Sequence, residues 1–237
     1  VKKFIVSIDQ GTTSTRSILF DLNGNPEFIS QKEFKQIYPK NGWVEHNPKE
    51  IWSSTLKVLK DVLKKCKKIN GKISSIGITN QRETTLLWDK KTGKCVYNAI
   101  VWQDRRTMKY CESLRKKGYE RIINLNTGLL LDPYFSSTKI KWILENVKSA
   151  KILYKKDRLL FGTIDTFLIW KLTKGSVHAT DASNASRTML FNIKKNIWDK
   201  KILKILGIPQ KILPEVKNSA DNYGYTDKSI TSISIPI

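Results

Sequence analysis

Residues 4–25 read FIVSIDQGTTSTRSILFDLNGN. An apolar run from Phe4 to Ile8 ends in a lone acid, Asp9, followed by Gly11 and a series of hydroxyl residues. A second apolar run, Ser17 to Phe20, ends in Asp-Leu-Asn-Gly-Asn. Asn23-Gly24 is a strong short hairpin signal, because both central residues of a type I′ turn need positive φ. Pro26 to Phe34 continues as a third strand. The chain therefore opens as a β-meander, and the nearly unbroken apolar run of the first strand predicts burial on both faces.

The turn between the first two strands is chemically unusual. Gly11 lets the backbone approach a ligand closely, and successive turn amides can form an anion nest. Thr12, Thr13 and Ser14 add hydroxyl donors, and Arg16 adds a permanently charged fork. Asp9 would repel a phosphate unless Mg²⁺ stood between them, held through water. Two readings remain open on these residues alone: a cradle for a magnesium nucleotide, or a tight hairpin whose Thr and Ser satisfy turn geometry. A P-loop is excluded, since GxxxxGK[ST] is absent and a strand, not a helix, follows the turn.

Working outward, a Pro- and Gly-containing loop leads to a helix with Asn47 as its cap, Pro48 in its first turn and Glu50 placed for a capping box. Trp52, Leu56, Leu59, Leu63 and Cys66 recur at helical spacing and predict its buried stripe. Ile73 to Thr79 reads as a strand, then the polar insert NQRETT (residues 80–85), then a strand over Leu86 to Asp89 and strand-like character in CVYNAIVW (95–102). Residues 103–118 read as a helix closed by Gly118. Further helices are expected after Asp132-Pro133, over IDTFLIWKLTKG (164–175), and in DKKILKILG (199–207), with TDASNASRTMLFN (180–192) as a polar loop entering a strand. Strands, helix, strand and later helices make an α/β fold, a mixed sheet covered by helices in one domain over 1–237.

Composition narrows the function classes. Hydrophobic residues are 40% of 237, enough for a sizeable core. No apolar run approaches the ~20 residues of a membrane-spanning helix. Cys66, Cys95 and Cys111 have no metal-like spacing and read as free thiols of a reducing, cytoplasmic compartment. The formal net charge is +22. The lysines are scattered in pairs and triples rather than gathered with aromatics, which favours a solvated basic surface over a nucleic-acid face. A basic module binding RNA or a membrane surface stays as a remote alternative. The two histidines, His46 and His178, have no obvious nucleophile to serve.

A phosphate-holding hairpin at the head of a meander resembles the ribonuclease-H-like fold of actin, hexokinase and the sugar-kinase ATPases. DQGTTSTR, YPKNGWVEHNP, GITNQRETTLLWD, NAIVWQDRRT, YFSSTKIKWILEN, GTIDTFLIWKLT and TDASNASRTMLFN, in that order, are similar to the FGGY family of polyol and carbohydrate kinases, on its glycerol-phosphorylating branch. Arg82-Glu83 after Asn-Gln marks that branch, where xylulose-specific members carry a Met-His pair.

The resemblance implies that Arg82, Glu83 and Tyr134 bind glycerol and Trp102 packs against its carbons. It implies that Thr12, Thr13, Ser14 and Arg16 meet the phosphates of ATP, with Asp9 on the Mg²⁺ side. Donor-only Arg, acceptor-only Glu and the amphoteric Tyr hydroxyl suit a triol. Taken alone, Arg82-Glu83 could equally be a surface ion pair, and Tyr134 and Trp102 ordinary packing residues. The family's catalytic base is an Asp in a Gly-Asp-Gln segment opening a second domain. That segment does not occur here, so no catalytic base is expected in this chain, which reads as the N-terminal half of a two-domain kinase. Family members also form dimers or tetramers, so a homo-oligomer is expected. Asp104, Arg105 and Arg106 are expected to begin a helix and form local salt links, and Asp165 to support its helix. Phosphorylation of another polyol or sugar is the nearer alternative.

Overall fold

The computed structural model describes residues 1–237. Strands β1 (Lys3–Gln10), β2 (Ser14–Asp21) and β3 (Pro26–Glu33) form the expected antiparallel meander. The hairpin forms at Asn23-Gly24, but not as a two-residue type I′ turn: Gly24 has φ +84°, Asn23 is not left-handed, and Gly24 N–H donates to the Asp21 carbonyl at 3.1 Å within a four-residue loop. Two short strands, β4 (Gln36–Ile37) and β5 (Glu45–His46), precede helix α1 (Pro48–Lys68). Strand β6 (Lys72–Asn80) then pairs parallel with β1, giving the sheet order β3-β2-β1-β6. A right-handed crossover through a helix is the usual route between parallel neighbours, and α1 provides the helix here.

Beyond the sheet come β7 (Leu86–Asp89), β8 (Ala99–Ile100), α2 (Met108–Lys116), α3 (Glu120–Thr127), α4 (Ser136–Asn146), α5 (Lys148–Lys155), β9 (Leu159–Gly162) and α6 (Ile164–Leu172). Strand β7 pairs antiparallel with β9 and divides the interior by its period of two. Leu86 and Trp88 join Phe4, Val6, Ile8, Leu19, Ile51 and Phe167 in one core. Leu87 joins Cys111, Ile123, Ile140, Ile143 and Phe161 in a second.

Several local expectations are corrected. Strand β1 is buried on one face only: Phe4, Val6 and Ile8 are fully buried, whereas Ile5 is 38% exposed. Helix α1 packs across just one side of the sheet, leaving Ser7 and Asp9 half-buried on the other. The buried stripe of α1 is rotated towards Ile51, Ser54, Thr55, Val58, Leu59, Val62 and Cys66; Trp52, Leu56 and Leu63 flank it half-buried. The small hydroxyl residues let helix and sheet approach closely, and Ser54 Oγ bonds Thr15 Oγ1 at 2.9 Å.

Asn47 caps α1 as expected by accepting from the Lys49 amide, but Glu50 accepts from the Lys35 amide, so no capping box forms. In residues 95–102 only Ala99–Ile100 is strand, with Cys95 bridging Trp88. The polar stretch 180–192 is more ordered than a loop: it holds the end of β10 (Ala179–Asp181), helix α7 (Ala182–Ala185), a 3₁₀ turn over Ser186–Thr188 and β11 (Phe191–Asn192). Helix α2 starts only at Met108, so Asp104, Arg105 and Arg106 lie in the turn before it. Cys66 is buried as its place in the α1 stripe predicts, Cys111 is buried on α2, and burial pushes the Cys111 thiol up to about 11 and the half-buried Cys95 thiol up to about 12. No helix is long and apolar enough to cross a membrane.

Candidate active site

The parallel pairing of β1 and β6 sets Gln10 beside Asn80, so the hairpin tip and the NQRETT segment leave the same end of the sheet. The loop after β6 and the segment before α4 then meet in one cleft of 390 Å³. Thr12, Arg82, Glu83, Trp102 and Tyr134 all line it, so four residues expected to hold a polyol and one expected to meet phosphate share a single cavity.

Glu83 has φ +64°, a left-handed conformation uncommon for a non-glycine residue. Its carbonyl accepts from Ser136 Oγ at 2.9 Å and Thr85 Oγ1 at 3.0 Å, which fixes this strained turn. Arg82 is exposed at the mouth. The Trp102 and Tyr134 rings stand 5.4 Å apart, tilted, and form an apolar wall. The Trp102 indole N–H donates to Thr12 Oγ1 at 3.0 Å.

The hairpin tip has donors to spare. Gly11 N–H does not serve the expected anion nest, because it donates to the Ser14 carbonyl at 2.9 Å. The amides of Thr12 and Thr13 have no acceptor within the chain, so the nest lies one residue further on. Ser14 Oγ accepts from Gln31 Nε2 at 3.1 Å, and Arg16 Nε donates to Gln31 Oε1 at 3.1 Å. Thr13, Ser14 and Arg16 are therefore outside the polyol cleft, on the open sheet face and the tip. Asp9 is the cross-strand neighbour of Arg16 and the parallel neighbour of Thr79. Its carboxylate has no hydrogen-bond partner in the chain, and no cluster of three or more His, Cys, Asp or Glu surrounds it. Such a lone acid beside free amides and hydroxyls fits Mg²⁺ held through water and phosphate oxygens, not an all-protein metal cage.

Sequence reading missed the polar network that anchors this tip. Gln81 Nε2 donates to Gln10 Oε1 at 3.0 Å and to the Gly11 carbonyl at 3.1 Å. Gln36 Nε2 donates to the Thr12 carbonyl at 2.9 Å, and the His46 ring joins Gln36 to Gln81. Burial lowers the His46 pKa to about 4, so the ring is neutral, with one nitrogen donating and the other accepting. Thr84 Oγ1 completes the network on Gln81 Oε1 at 2.9 Å. The sequence-level signal was only a set of polar residues flanking strands.

Arg187 was missed as well. It lines the cleft, donates to Glu83 Oε1 and lies 5.6 Å from the Tyr134 ring centroid.

The residues expected to form local links behave as supports. Asp104 accepts from Arg106 Nε at 2.9 Å and from the Val44 amide at 2.7 Å. Arg106 also reaches Glu45, while Arg105 pairs with Asp132 at the surface. Asp165 in the first turn of α6 accepts from the Thr163 and Thr180 hydroxyls, and burial raises its pKa to about 6. His178, half-buried, donates through Nε2 to the Phe161 carbonyl at 2.7 Å.

Residues 4–235 match the FGGY family of carbohydrate kinases, N-terminal domain. The chain is 57% identical over 235 residues to a glycerol kinase of Caldanaerobacter subterraneus, covering 99% of this chain and 47% of the relative. It is 58% identical to one of Clostridium botulinum, covering 99% and 48%. Among solved structures it is similar to Plasmodium falciparum glycerol kinase with ADP, at 36% identity and TM-score 0.96, covering 100% of this chain and 47% of that one. It is also similar to gluconate kinase from Lactobacillus acidophilus, at 25% identity and TM-score 0.87, covering 99% and 47%. The chain thus spans about half the length of the curated relatives it matches.

Proposed function

The chain belongs to the FGGY family of carbohydrate kinases, and from that premise we propose that it supplies the polyol-binding, phosphate-holding half of an ATP-dependent glycerol kinase. The observation that carries this reading is the single cleft shared by Arg82, Glu83, Trp102, Tyr134 and Thr12. A fork of donors, a carboxylate acceptor, a phenol and an aromatic wall match three hydroxyls on three carbons. The identity of the relatives that act on glycerol supports it further.

In this reading Arg82 and Glu83 grip the glycerol hydroxyls and Tyr134 closes over them. The free Thr12 and Thr13 amides, with the Thr12, Thr13 and Ser14 hydroxyls, receive the transferring phosphate. Arg16 turns from Gln31 to the nucleotide. Asp9 would hold Mg²⁺ through water, and the ion would supply charge neutralisation at the phosphate oxygens. Transfer to a primary hydroxyl gives sn-glycerol 3-phosphate and ADP, and rests on in-line positioning and charge neutralisation. The base that takes the hydroxyl proton is assigned to an Asp of the second half, whose contact completes the cleft. This half alone is then expected to show negligible turnover. Assembly as a homo-oligomer and a cytoplasmic location belong to the same proposal.

The test uses the complete kinase with glycerol, erythritol, xylulose and gluconate in an ADP-release assay. Glycerol should lead in kcat/KM. The likeness to a gluconate kinase favours one rival, a different polyol or sugar acid, and gluconate leading the panel would establish it.

A further inference from the structure

Lys139 lies in α4, away from the cleft wall, and its side chain is completely buried. Lysine is almost never fully buried without a charged partner. Here all three ammonium donors go to backbone carbonyls: Pro133 at 2.6 Å, Tyr134 at 2.6 Å and Phe135 at 3.1 Å. Three consecutive carbonyls thus converge on one cation. Burial lowers the Lys139 pKa to about 7, with Asp104, Glu83, Cys111 and Asp132 acting in the opposite direction.

Filling the space does not require this. A methionine has a similar stem and avoids the desolvation of a buried charge, which is costly. The ammonium does something that packing cannot: it sets the rotation of three successive peptide planes. The central one carries Tyr134. The Tyr134 amide is held from the other side by Asp132 Oδ1 at 2.8 Å, and its ring lies against Trp102 and Arg187. Backbone rotation at residues 133–135 would swing the phenol across the cleft.

We propose that Lys139 is a positioning residue for substrate, a carbonyl clamp that aims Tyr134 at the polyol without touching it. The inference rests on the reading of the cleft as a polyol site.

The test is a double-mutant cycle in the complete kinase, with Lys139→Met, Tyr134→Ala and the pair. Lys139→Met should raise the glycerol KM roughly 10-fold or more and leave the ATP KM within about 2-fold. In the Tyr134→Ala background the same change should add less than about 2-fold, because its route to substrate is gone. A parallel rise in both KM values, or full multiplication of the two single effects, overturns the proposal. Lys139→Gln, which keeps an N–H donor, is measured alongside. If neither Lys139 variant yields folded enzyme, the residue is structural and the proposal fails. If Tyr134→Ala leaves the glycerol KM unchanged, the polyol reading fails instead. If Tyr134→Ala raises it and Lys139→Met does not, only the clamp fails.

Discussion

Arg187 Nε donates to Glu83 Oε1 at 2.6 Å, joining residues 104 positions apart in the chain. The Glu83 side chain is 4% exposed and the Arg187 side chain 32%. The pair therefore holds a nearly buried carboxylate in its left-handed turn while one edge of the guanidinium still meets solvent.

Replacing Arg187 with Ala should leave the Glu83 carboxylate buried and free to move. Loss of a charge-assisted hydrogen bond of this kind costs about 2 kcal/mol, or roughly 30-fold in kcat/KM for glycerol. Arg187→Lys should recover part of the loss, since a point charge attracts the carboxylate but does not lie flat beside Tyr134. Steady-state kinetics of the complete enzyme would show this, and unchanged glycerol kinetics in Arg187→Ala would remove the residue from the site.

Arg82 contrasts with Arg187. It is exposed and its side chain bonds nothing in the chain. Arg82→Ala should cut kcat/KM for glycerol roughly 10- to 100-fold while the Tm stays within about 1 °C, because a surface substitution away from packed features is nearly neutral. A large fall in Tm would mean that Arg82 is structural.

Arg16→Ala should act on the other substrate, raising the KM for ATP and leaving that for glycerol within about 2-fold. The exposed Arg16–Gln31 bond contributes little to stability. Equal effects on both substrates would contradict the separation of tip and cleft described above.

Arg106 is the strongest stability prediction. Its side chain is 0% exposed, pairs with Glu45 at 2.7 Å and Asp104 at 2.8 Å, and lies 3.8 Å from the Trp43 ring centroid and 4.7 Å from that of Trp142. Lysine cannot reach both carboxylates while stacking. Arg106→Lys should cost about 3 kcal/mol, a fall in Tm of roughly 6–12 °C by calorimetry. A fall under about 2 °C would show that the cluster relaxes around an ammonium.

His46 gives a pH prediction. Its ring resists protonation until about pH 4 when folded, whereas the unfolded chain takes up that proton near pH 6.5. Stability from this group is complete above 6.5 and falls as pH drops towards 4, by about 1.4 kcal/mol per unit at most. Asp165 runs the other way. Its raised folded pKa of about 6 adds stability as pH falls from 6 towards 3.8. The two slopes oppose each other, and the aspartates held below their ordinary value, Asp89 and Asp199 among them, add a further loss towards pH 4, so the His46 contribution is read from the difference between variant and parent. His46→Gln relative to the parent should gain stability as pH falls through that range, and a pH-independent difference would show that His46 is charged in the fold.

The meander, the Asn23-Gly24 turn, the Asn47 cap and the helix stops were legible because each depends on backbone preferences a few residues wide. The face of α1 was not. Ile51 and Val58 are buried and Trp52 and Leu56 half-buried because the sheet lies on that side, and a helical period alone does not tell which flank of a broad apolar stripe is covered. Arg82, Glu83, Trp102 and Tyr134 were nameable through the family resemblance. Gln10, Gln36, His46 and Gln81 were not, since a buried polar network has no local signature. Arg187 and Lys139 escaped for the same reason: their meaning lies in partners that the fold brings to them.

The 3.0 Å link between the Trp102 indole and the Thr12 hydroxyl has a mechanical consequence. It is a crossbar between the wall proposed for the carbon chain and the turn proposed for the phosphate. One end leaves β1 directly; at the other, the Thr84 hydroxyl that receives the Trp102 amide bonds Gln81, whose side chain is tied in turn to Gln10 at the end of β1. The gap that a phosphoryl group must cross is then a fixed gauge of the scaffold, set before either reactant arrives.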